Sequence, residues 1–369
     1  AGYVVDKYRV SPPAPGTDMV SWLRSQATRE QRNDALAGIV GVGGIGLDVT
    51  YAREVLQSEG YSPLEIGQWL RSNAYSLPDI LEGLSQYFNE PRIGARKALK
   101  TMQEMGYGIE SGPKGYRLNS SPDSLQPWEF PGREDRVVFL PEAASTMDVA
   151  KELARKGCPA VTVVVAGRQT QGRGRLRRVW DSGEGGLYFT VVLRPSLPVL
   201  WSPRVNFLAA LTLADVLRDG YGVDAGLKWP NDILVEGRKL SGLLAEMESE
   251  GDQVNFINVG IGLNVNNRPP AVAPPAVSLR ELLGRTVPRR DILDRFLAAL
   301  ERRMHAEPWD TVIAGWRARS VTLGRLVRIV TVRDQISGTA VDVDANGALL
   351  LRQADGTMAT VVYGDCFLA

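Results

Sequence analysis

Hydrophobic residues fall into three kinds of spacing along the 369 positions of this chain. Apolar and β-branched runs at Val137–Leu140, Val161–Val165, Leu187–Leu193 and Ile257–Val265 have the length of strands, whereas Asp148–Lys156, Val205–Arg218 and Arg290–His305 repeat their apolar residues at helical spacing. Strands interleaved with helices predict a mixed α/β or α+β core, placed at 136–320. Beyond Leu323 the pattern becomes alternating. Val327, Ile329 and Val332 are followed by Gly338–Val343, Leu349–Leu351 and Met358–Val362, with turns at Asp344–Gly347 and Gln353–Gly356. A small all-β unit is expected over 321–369.

Upstream of the core, three short helices are predicted near Pro63–Ser72, Leu77–Phe88 and Pro91–Met105. Pro91 suits a first helical turn and Gly106 a helix stop. Two short strands, Tyr107–Glu110 and Lys114–Leu118, flank Ser111-Gly112-Pro113 and read as a wing. Together they give a winged helix-turn-helix over 61–120. Its third helix and wing carry Arg92, Arg96, Lys97, Lys100, Lys114 and Arg117 against Glu104 and Glu110, a local excess of positive charge. That patch suits DNA phosphates, and it equally suits an ordinary solvated helix face. A Ser/Pro/Gly-rich stretch at 121–135 reads as a linker. Residues 1–60 carry no assignable role. Gly41-Val42-Gly43-Gly44-Ile45-Gly46 matches a dinucleotide-binding spacing, but about 60 residues cannot hold the βαβ sheet such a site needs, so a glycine-rich turn is expected.

The charge balance narrows the chemistry. Lys+Arg 43 against Asp+Glu 42 leaves a formal net charge of +1, so DNA would have to be met by a local face. Cys158 and Cys366 lack metal-ligand spacing and His305 is the single histidine, so no tightly bound metal and no histidine-based catalysis are expected. Lys, Arg, Asp and backbone groups remain to do any chemistry. No run approaches a membrane span and no signal-peptide pattern is seen, which makes the cytoplasm the expected location.

The strongest local signal is Gly167-Arg168-Gln169-Thr170-Gln171-Gly172-Arg173-Gly174-Arg175-Leu176-Arg177-Arg178-Val179-Trp180. Glycine alternating with arginine makes a backbone that can close guanidinium groups over an anion such as a phosphate or adenylate. A plain solvated loop or an RNA-binding RGG-like tract is the alternative, yet such tracts are repetitive, whereas this segment joins an apolar strand to Trp180 and a second strand. Ser145 and Asp148 fit a capping box opening a helix. Lys228 and Trp229 suit a strand end, and a Lys beside Asp232 is more often half of an ion pair than a catalyst. Lys239, within Glu236-Gly237-Arg238-Lys239, could be an exposed residue of a hairpin turn. Gly260 and Gly262 fit either β-bulges or a strand approached closely by a ligand.

The Gln-Thr-Gln-Gly-Arg-Gly-Arg…Trp run resembles the biotin-binding loop of biotin–protein ligases. Three more segments follow that family's order: Ser145-Thr146-Met147-Asp148; Lys228-Trp229-Pro230-Asn231-Asp232 with Arg238 to Leu244; and Gly260 to Asn266. The resemblance spans roughly Ser62–Ala369 and is to the bifunctional type. It implies a multidomain α+β protein: the winged helix, a class II synthetase-like catalytic domain and an SH3-like C-terminal barrel. It implies ATP-dependent ligation of biotin, through biotinyl-5′-AMP, to a lysine of a biotin carboxyl carrier domain, and a second role as a repressor binding operator DNA as a homodimer. Biotin, ATP and Mg2+ would be substrates. By resemblance Lys239, Arg175, Asp232 and Lys228 would serve catalysis, with Asp232 meeting the magnesium-bound phosphates indirectly. Ser145, Thr146, Gln169, Gly172, Arg173, Gly174, Arg175, Lys239, Gly242 and Gly260 would bind biotin. Arg173, Arg175, Trp180, Asn231, Asp232, Lys239 and Asn264 would hold ATP or the adenylate. Arg92, Arg96, Lys97, Lys100 and Lys114 would meet DNA. Met147 stands where the family often has asparagine and Arg177 where it often has glycine. Two other readings stay open: a biotin-sensing repressor without ligase activity, and a lipoate–protein ligase.

Overall fold

The computed structural model describes residues 93–112, 115–270, 275–306, 308–331 and 334–369, in two compact units, Ala1–Pro122 and Asp123–Ala369. In the first unit, helix α1 (Ile93–Glu104) precedes an antiparallel hairpin of β1 (Gly108–Gly112) and β2 (Gly115–Ser120). Gly106, at φ +92°, ends the helix in a conformation that only glycine takes readily. Leu99, Tyr107 and Ile109 form a small buried cluster. A helix and a two-stranded hairpin are therefore present where the third helix and the two short strands were expected. The two earlier helices, the glycine-rich Gly41–Gly46, Arg92 and Lys114 lie outside the described residues. Arg96 and Lys97 fall within α1. Lys100 has its Nζ 3.7 Å from Glu104, and Arg117 lies opposite Glu110 across the hairpin, so acid neighbours offset part of the basic patch.

The second unit is built on a seven-stranded sheet. Its strands are β3 (Val137–Ala143), β4 (Thr162–Gln169), β5 (Leu187–Leu193), β6 (Gly226–Lys228), β7 (Asp232–Val235), β8 (Arg238–Glu250) and β9 (Gln253–Leu263). Their order is β3-β4-β5-β9-β8-β7-β6, parallel between β3 and β4 and antiparallel elsewhere. Because strand residues alternate faces, the sheet presents two distinct surfaces. One is covered by α3 (Pro203–Tyr221), α5 (Arg289–Ala306) and α6 (Trp309–Ala318), where Phe189 meets Phe296 edge-on and Phe207 stacks on Trp316. Thirteen of the 19 residues of α3 are buried, which makes it the central helix of the core. On the opposite face α2 (Thr146–Arg155) packs Ala150 and Ala154 against Val164, Val192 and Phe256. That helix shares its face with Thr190 and Gly260, which leaves the sheet open beside its N-terminus. A short helix α4 (Leu279–Leu283) is capped by Ser278.

The stretch expected as a linker, 121–135, is not one. From Asp123 onward it is woven into the second unit, with Leu125 and Phe130 in the main core and Asp123 accepting 2.7 Å bonds from the backbone and guanidinium of Arg289. Polar composition suggested a connector; two large apolar residues at Leu125 and Phe130 anchor it instead.

Residues 326–368 form a five-stranded antiparallel sheet: β10 (Leu326–Val330), β11 (Gln335–Val343), β12 (Leu349–Arg352), β13 (Met358–Val361) and β14 (Asp365–Leu368), ordered β13-β12-β11-β10-β14. Val327, Ile329, Ala340 and Leu351 join the same hydrophobic core as the larger sheet. Trp229 ties the two together: its backbone N–H donates to Thr322 Oγ1 and its indole Nε1 to the Gly347 carbonyl, both at 2.9 Å.

Cys366, on β14, is buried, and burial pushes its thiol up to about 11. Cys158 is half-buried. One equivalent of a thiol-reactive disulfide reagent is expected to react promptly with the native protein at pH 8, and two after denaturation, because only a thiolate attacks. Two prompt equivalents in the native state would contradict this burial.

Candidate functional site

The open patch beside α2 is made by glycines. Gly242 on β8 pairs directly with Gly262 on β9, and Gly260 lies two residues away on the same face. Neither glycine of β9 is a bulge; the ladder runs in register through both. A Cβ on Gly262 would come 2.3 Å from Cε2 of Trp180, one on Gly242 2.9 Å from Cζ3 of the same ring, and one on Gly260 2.6 Å from Sδ of Met147. Close approach, not strand distortion, is thus what these positions require. The Trp180 indole lies on the bare sheet, and its Nε1 is buried without a hydrogen-bond partner. Buried donors are nearly always satisfied, so this N–H is a ready donor for an acceptor brought by a ligand.

Helix α2 aims its N-terminus at the patch. Ser145 caps it, its hydroxyl accepting from the Met147 N–H at 3.3 Å. The capping box does not close, because the Asp148 carboxylate accepts instead from Arg173 Nη2 at 2.7 Å. Gln169 joins helix and loop. Its Oε1 accepts from the Thr146 N–H at 2.8 Å, while its Nε2 donates to Ser182 Oγ at 3.0 Å. Thr146 Oγ1 and Thr190 Oγ1 share a further bond at 2.8 Å, which fixes the helix to the sheet.

The Gly/Arg segment folds back on itself as a small loop. Trp180 N–H donates to the Gly172 carbonyl at 2.9 Å and Gly174 N–H to the Arg178 carbonyl at 2.7 Å, with Leu176 left-handed at φ 52°. It brings Arg173, Arg175 and Arg178 over the patch.

On the far side stands Lys239. It lies within β8 rather than in the turn, which is the two-residue Glu236-Gly237, with φ of 52° and 76°. The exposed-hairpin alternative is therefore excluded. Its Nζ sits 2.7 Å from Asp232 Oδ1 and 5.2 Å from the centre of the Trp180 ring, with side-chain exposures of 25% for the lysine and 16% for the aspartate. Lys228 reaches Asp232 Oδ2 only at 3.9 Å. Arg175 is depressed from its usual range by burial, with Asp365 and Asp232 acting the other way.

One cavity of about 130 Å3 joins these groups. It brings together Ser145, Thr146, Gln169, Arg173, Gly174, Arg175, Trp180, Asn231, Asp232, Lys239, Gly242 and Gly260. Gly172 packs against Trp180 and Ser182 behind the loop, and Lys228 stands behind Asp232. Asn264 does not line the cavity: it is buried, with Oδ1 accepting from Asn267 Nδ2 at 3.0 Å. Met147, Arg178, Leu244 and Asp365 do line it, though the motifs did not single them out as binding residues. Met147 had a usable signal, since it lies inside a recognisable motif; Asp365 had none. Four cationic side chains, Arg173, Arg175, Arg178 and Lys239, face two carboxylates, Asp232 and Asp365, which leaves a cavity suited to anions. Among the described residues no group of three or more His, Cys, Asp or Glu side chains could hold a metal ion, and no helix is long and apolar enough to cross a membrane.

Known families and proteins resemble this chain over much of its length. The Biotin/lipoate A/B protein ligase family matches residues 140–266, and the Biotin protein ligase C terminal domain matches residues 322–369. The bifunctional ligase/repressor BirA of Bacillus subtilis is 32% identical over 306 residues, covering 75% of this chain and 94% of that protein. The chain belongs to the biotin protein ligase family. A biotin–[acetyl-CoA-carboxylase] ligase of Mycobacterium tuberculosis is 36% identical over 213 residues, 55% of this chain and 77% of its own. Among solved structures, the biotin protein ligase of Aquifex aeolicus in complex with biotin and ATP superposes with a TM-score of 0.54 at 28% identity, covering 63% of this chain and 98% of that one. The ligase fold, an α/β catalytic part followed by a β domain, is thereby established, with family matches over 140–266 and 322–369.

Proposed function

We propose that this ligase joins biotin to a lysine of a biotin carboxyl carrier domain in two steps within the one cavity. The observation that carries the reading is the convergence of Lys239, Asp232 and the arginines of the loop on a glycine-floored pocket. In the first step a carboxylate oxygen of biotin attacks the α-phosphorus of ATP, a P–O bond forms, and pyrophosphate leaves. Negative charge grows on the α-phosphate oxygens as the bond forms. Fixed cations aimed there stabilise the transition state more than the substrates. Lys239 is the best placed, since Asp232 holds its Nζ at 2.7 Å. Arg173 and Arg175 take the remaining phosphate charge. Lys228 acts through Asp232. Magnesium would arrive as the counter-ion of the ATP substrate, and Asp232 would be the carboxylate that meets the magnesium-bound phosphates.

In the second step the carrier's lysine amine attacks the carbonyl carbon of the mixed anhydride, the C–O bond to phosphorus breaks, and AMP leaves. The anhydride is water-labile, so the loop that carries Arg175 must stay closed between the two steps. Ser145, Thr146, Gln169 and the Trp180 N–H supply the polar contacts for the bicyclic ring and the acyl chain, over the floor formed by Gly242 and Gly260. The cavity is smaller than the roughly 300–1,000 Å3 typical of small-molecule pockets, because Trp180 and Met147 rest on the glycines. The flexible Met147 side chain gives way over Gly260, and the loop opens to admit substrates and closes again with Trp180 seated on Gly262.

Incorporation of labelled biotin into a carrier domain, strictly dependent on ATP, tests this reading. Biotin binding without pyrophosphate release would leave a non-enzymatic sensor. Competition by free lipoate would point to the lipoate branch of the matched family, against which the C-terminal biotin ligase domain argues.

A second role is supported by one observation: a helix followed by an antiparallel hairpin, the order in which a winged helix ends, in a chain similar to a bifunctional ligase/repressor along 75% of its length. We assign 61–120 as a winged-helix domain that binds operator DNA as a homodimer. Phosphate contacts would come from Arg92, Arg96, Lys97, Lys100 and Lys114. A gel-shift series over salt, with and without biotin and ATP, tests it; no ligand-dependent complex at any salt concentration would refute it.

A further inference from the structure

The terminal β-unit touches the arginine-rich loop at its tip. Arg178 Nη2 forms an ion pair with Asp365 Oδ2, and Arg175 Nη1 donates to the Gly364 carbonyl at 3.1 Å. Both acceptors lie where the chain turns from β13 into β14. This platform is firmly built. Asp365 sits opposite Val330 and Cys366 opposite Ile329 in the β10–β14 ladder, and a Cβ on Gly364 would fall 2.5 Å from Ile329 Cγ2.

The loop is thus held at two places. Its base is anchored by Arg173 on Asp148 and by Trp180 on the glycine floor. The tip, 175–178, is anchored by the platform, with Leu176 and Val179 turned to solvent at 43% and 83% exposure. A loop whose closed form leaves so small a cavity has to open for substrates. Any contact made only in the closed form shifts the opening equilibrium toward closure by its own free energy. A charge-assisted bond to a carboxylate that is only 16% exposed is stronger than an open surface pair.

We infer that Asp365 is a positioning residue that latches the loop: the terminal β-unit supplies the carboxylate on which Arg178 docks, and this contact sets how long the cavity stays shut. The latch is a property of the folded chain alone; its consequence for an adenylate rests on the function proposed above.

The test follows from that separation. In the full-length protein without ligands, thermolysin cutting before Leu176 or Val179 reads loop opening directly. Asp365→Asn is expected to raise the cutting rate by about three- to tenfold, the factor that a partly buried charged bond represents. Arg178→Gln should do the same from the loop side. The exchange Arg178→Asp with Asp365→Arg should return cutting toward the parent rate while the melting temperature stays constant across the set, which a merely structural loss would not reproduce. Cutting unchanged in both single variants, or an exchange variant that cuts as fast as either single one, overturns the latch. A second arm adds biotin and ATP and measures biotinyl-AMP released to solvent, expected to rise in parallel. If cutting behaves as described but no adenylate forms in the parent protein, the latch stands and the proposed function fails.

Discussion

Replacing Lys239 with methionine is expected to slow adenylate formation by about 100- to 1,000-fold, the usual effect of removing one fixed charge or donor at a developing oxyanion. Methionine keeps the length and much of the volume of lysine, so packing against Trp180 survives while the charge does not. Asp232 loses its 2.7 Å partner but retains Lys228 at 3.9 Å, so the fold should tolerate the change. The deficit should appear in the first step, as pyrophosphate release. Transfer from added biotinyl-AMP to the carrier should fall far less, because the α-phosphorus is already bonded to biotin. A variant slowed equally in both steps, or in neither, would show that Lys239 does not meet the α-phosphate.

Gly262→Ala should uncouple synthesis of the intermediate from its retention. The new methyl group would lie 2.3–2.4 Å from Cε2 and Nε1 of Trp180, atoms of a rigid ring that cannot fold away, so the indole has to leave the sheet. Overpacking of this kind costs about 1–3 kcal/mol, or roughly 5- to 150-fold in the equilibrium between closed and open loop. Free biotinyl-AMP in the medium should rise by about that factor per carrier modified. Gly183→Ala is the matched control, since its Cβ would enter open space. If the two variants leak alike, the Trp180 seat has no part in retaining the adenylate.

These expectations draw on features of very different visibility in the amino-acid sequence. Strands β3, β4, β5 and β9 and helices α2, α3 and α5 were readable, because each buries a largely apolar run or a regular helical stripe. Strand β8 was hidden. Gly242 interrupts its apolar pattern and Glu246, Glu248 and Glu250 end it in charge, yet β9 pairs with it along its whole length. Strand β14 and helix α6 are short, and β14 closes against β10 only through tertiary pairing. The helix near Pro91–Met105 and the two strands after it were readable, while the supposed linker turned out to carry two core residues, Leu125 and Phe130.

The site divides along the same line. Arginines between glycines, a lysine two residues beyond a tight turn and a capped helix are local signals, and the fold gathers them around one cavity. Long-range contacts left no such trace. Asp365 acts on Arg178 from 187 positions away, and nothing around it sets it apart from other acidic turn residues. Asn264, to which its motif drew attention, lies outside the cavity lining, buried with its Oδ1 accepting from Asn267. The glycines of β9 were read as a place of close approach, and in the structure it is Met147 and Trp180 that rest on Gly260 and Gly262.

Activation of biotin rests on the bond formed between its carboxylate and the α-phosphorus. Biotin labelled with oxygen-18 in its carboxylate, incubated with unlabelled ATP and a carrier domain, tests that bond directly by mass spectrometry of the AMP released. The carboxylate oxygen that attacks phosphorus stays with it when the amine later breaks the C–O bond, so the AMP should carry one heavy oxygen for each biotin transferred. AMP free of the label, or biotin attached to the carrier without AMP, would contradict activation at this site.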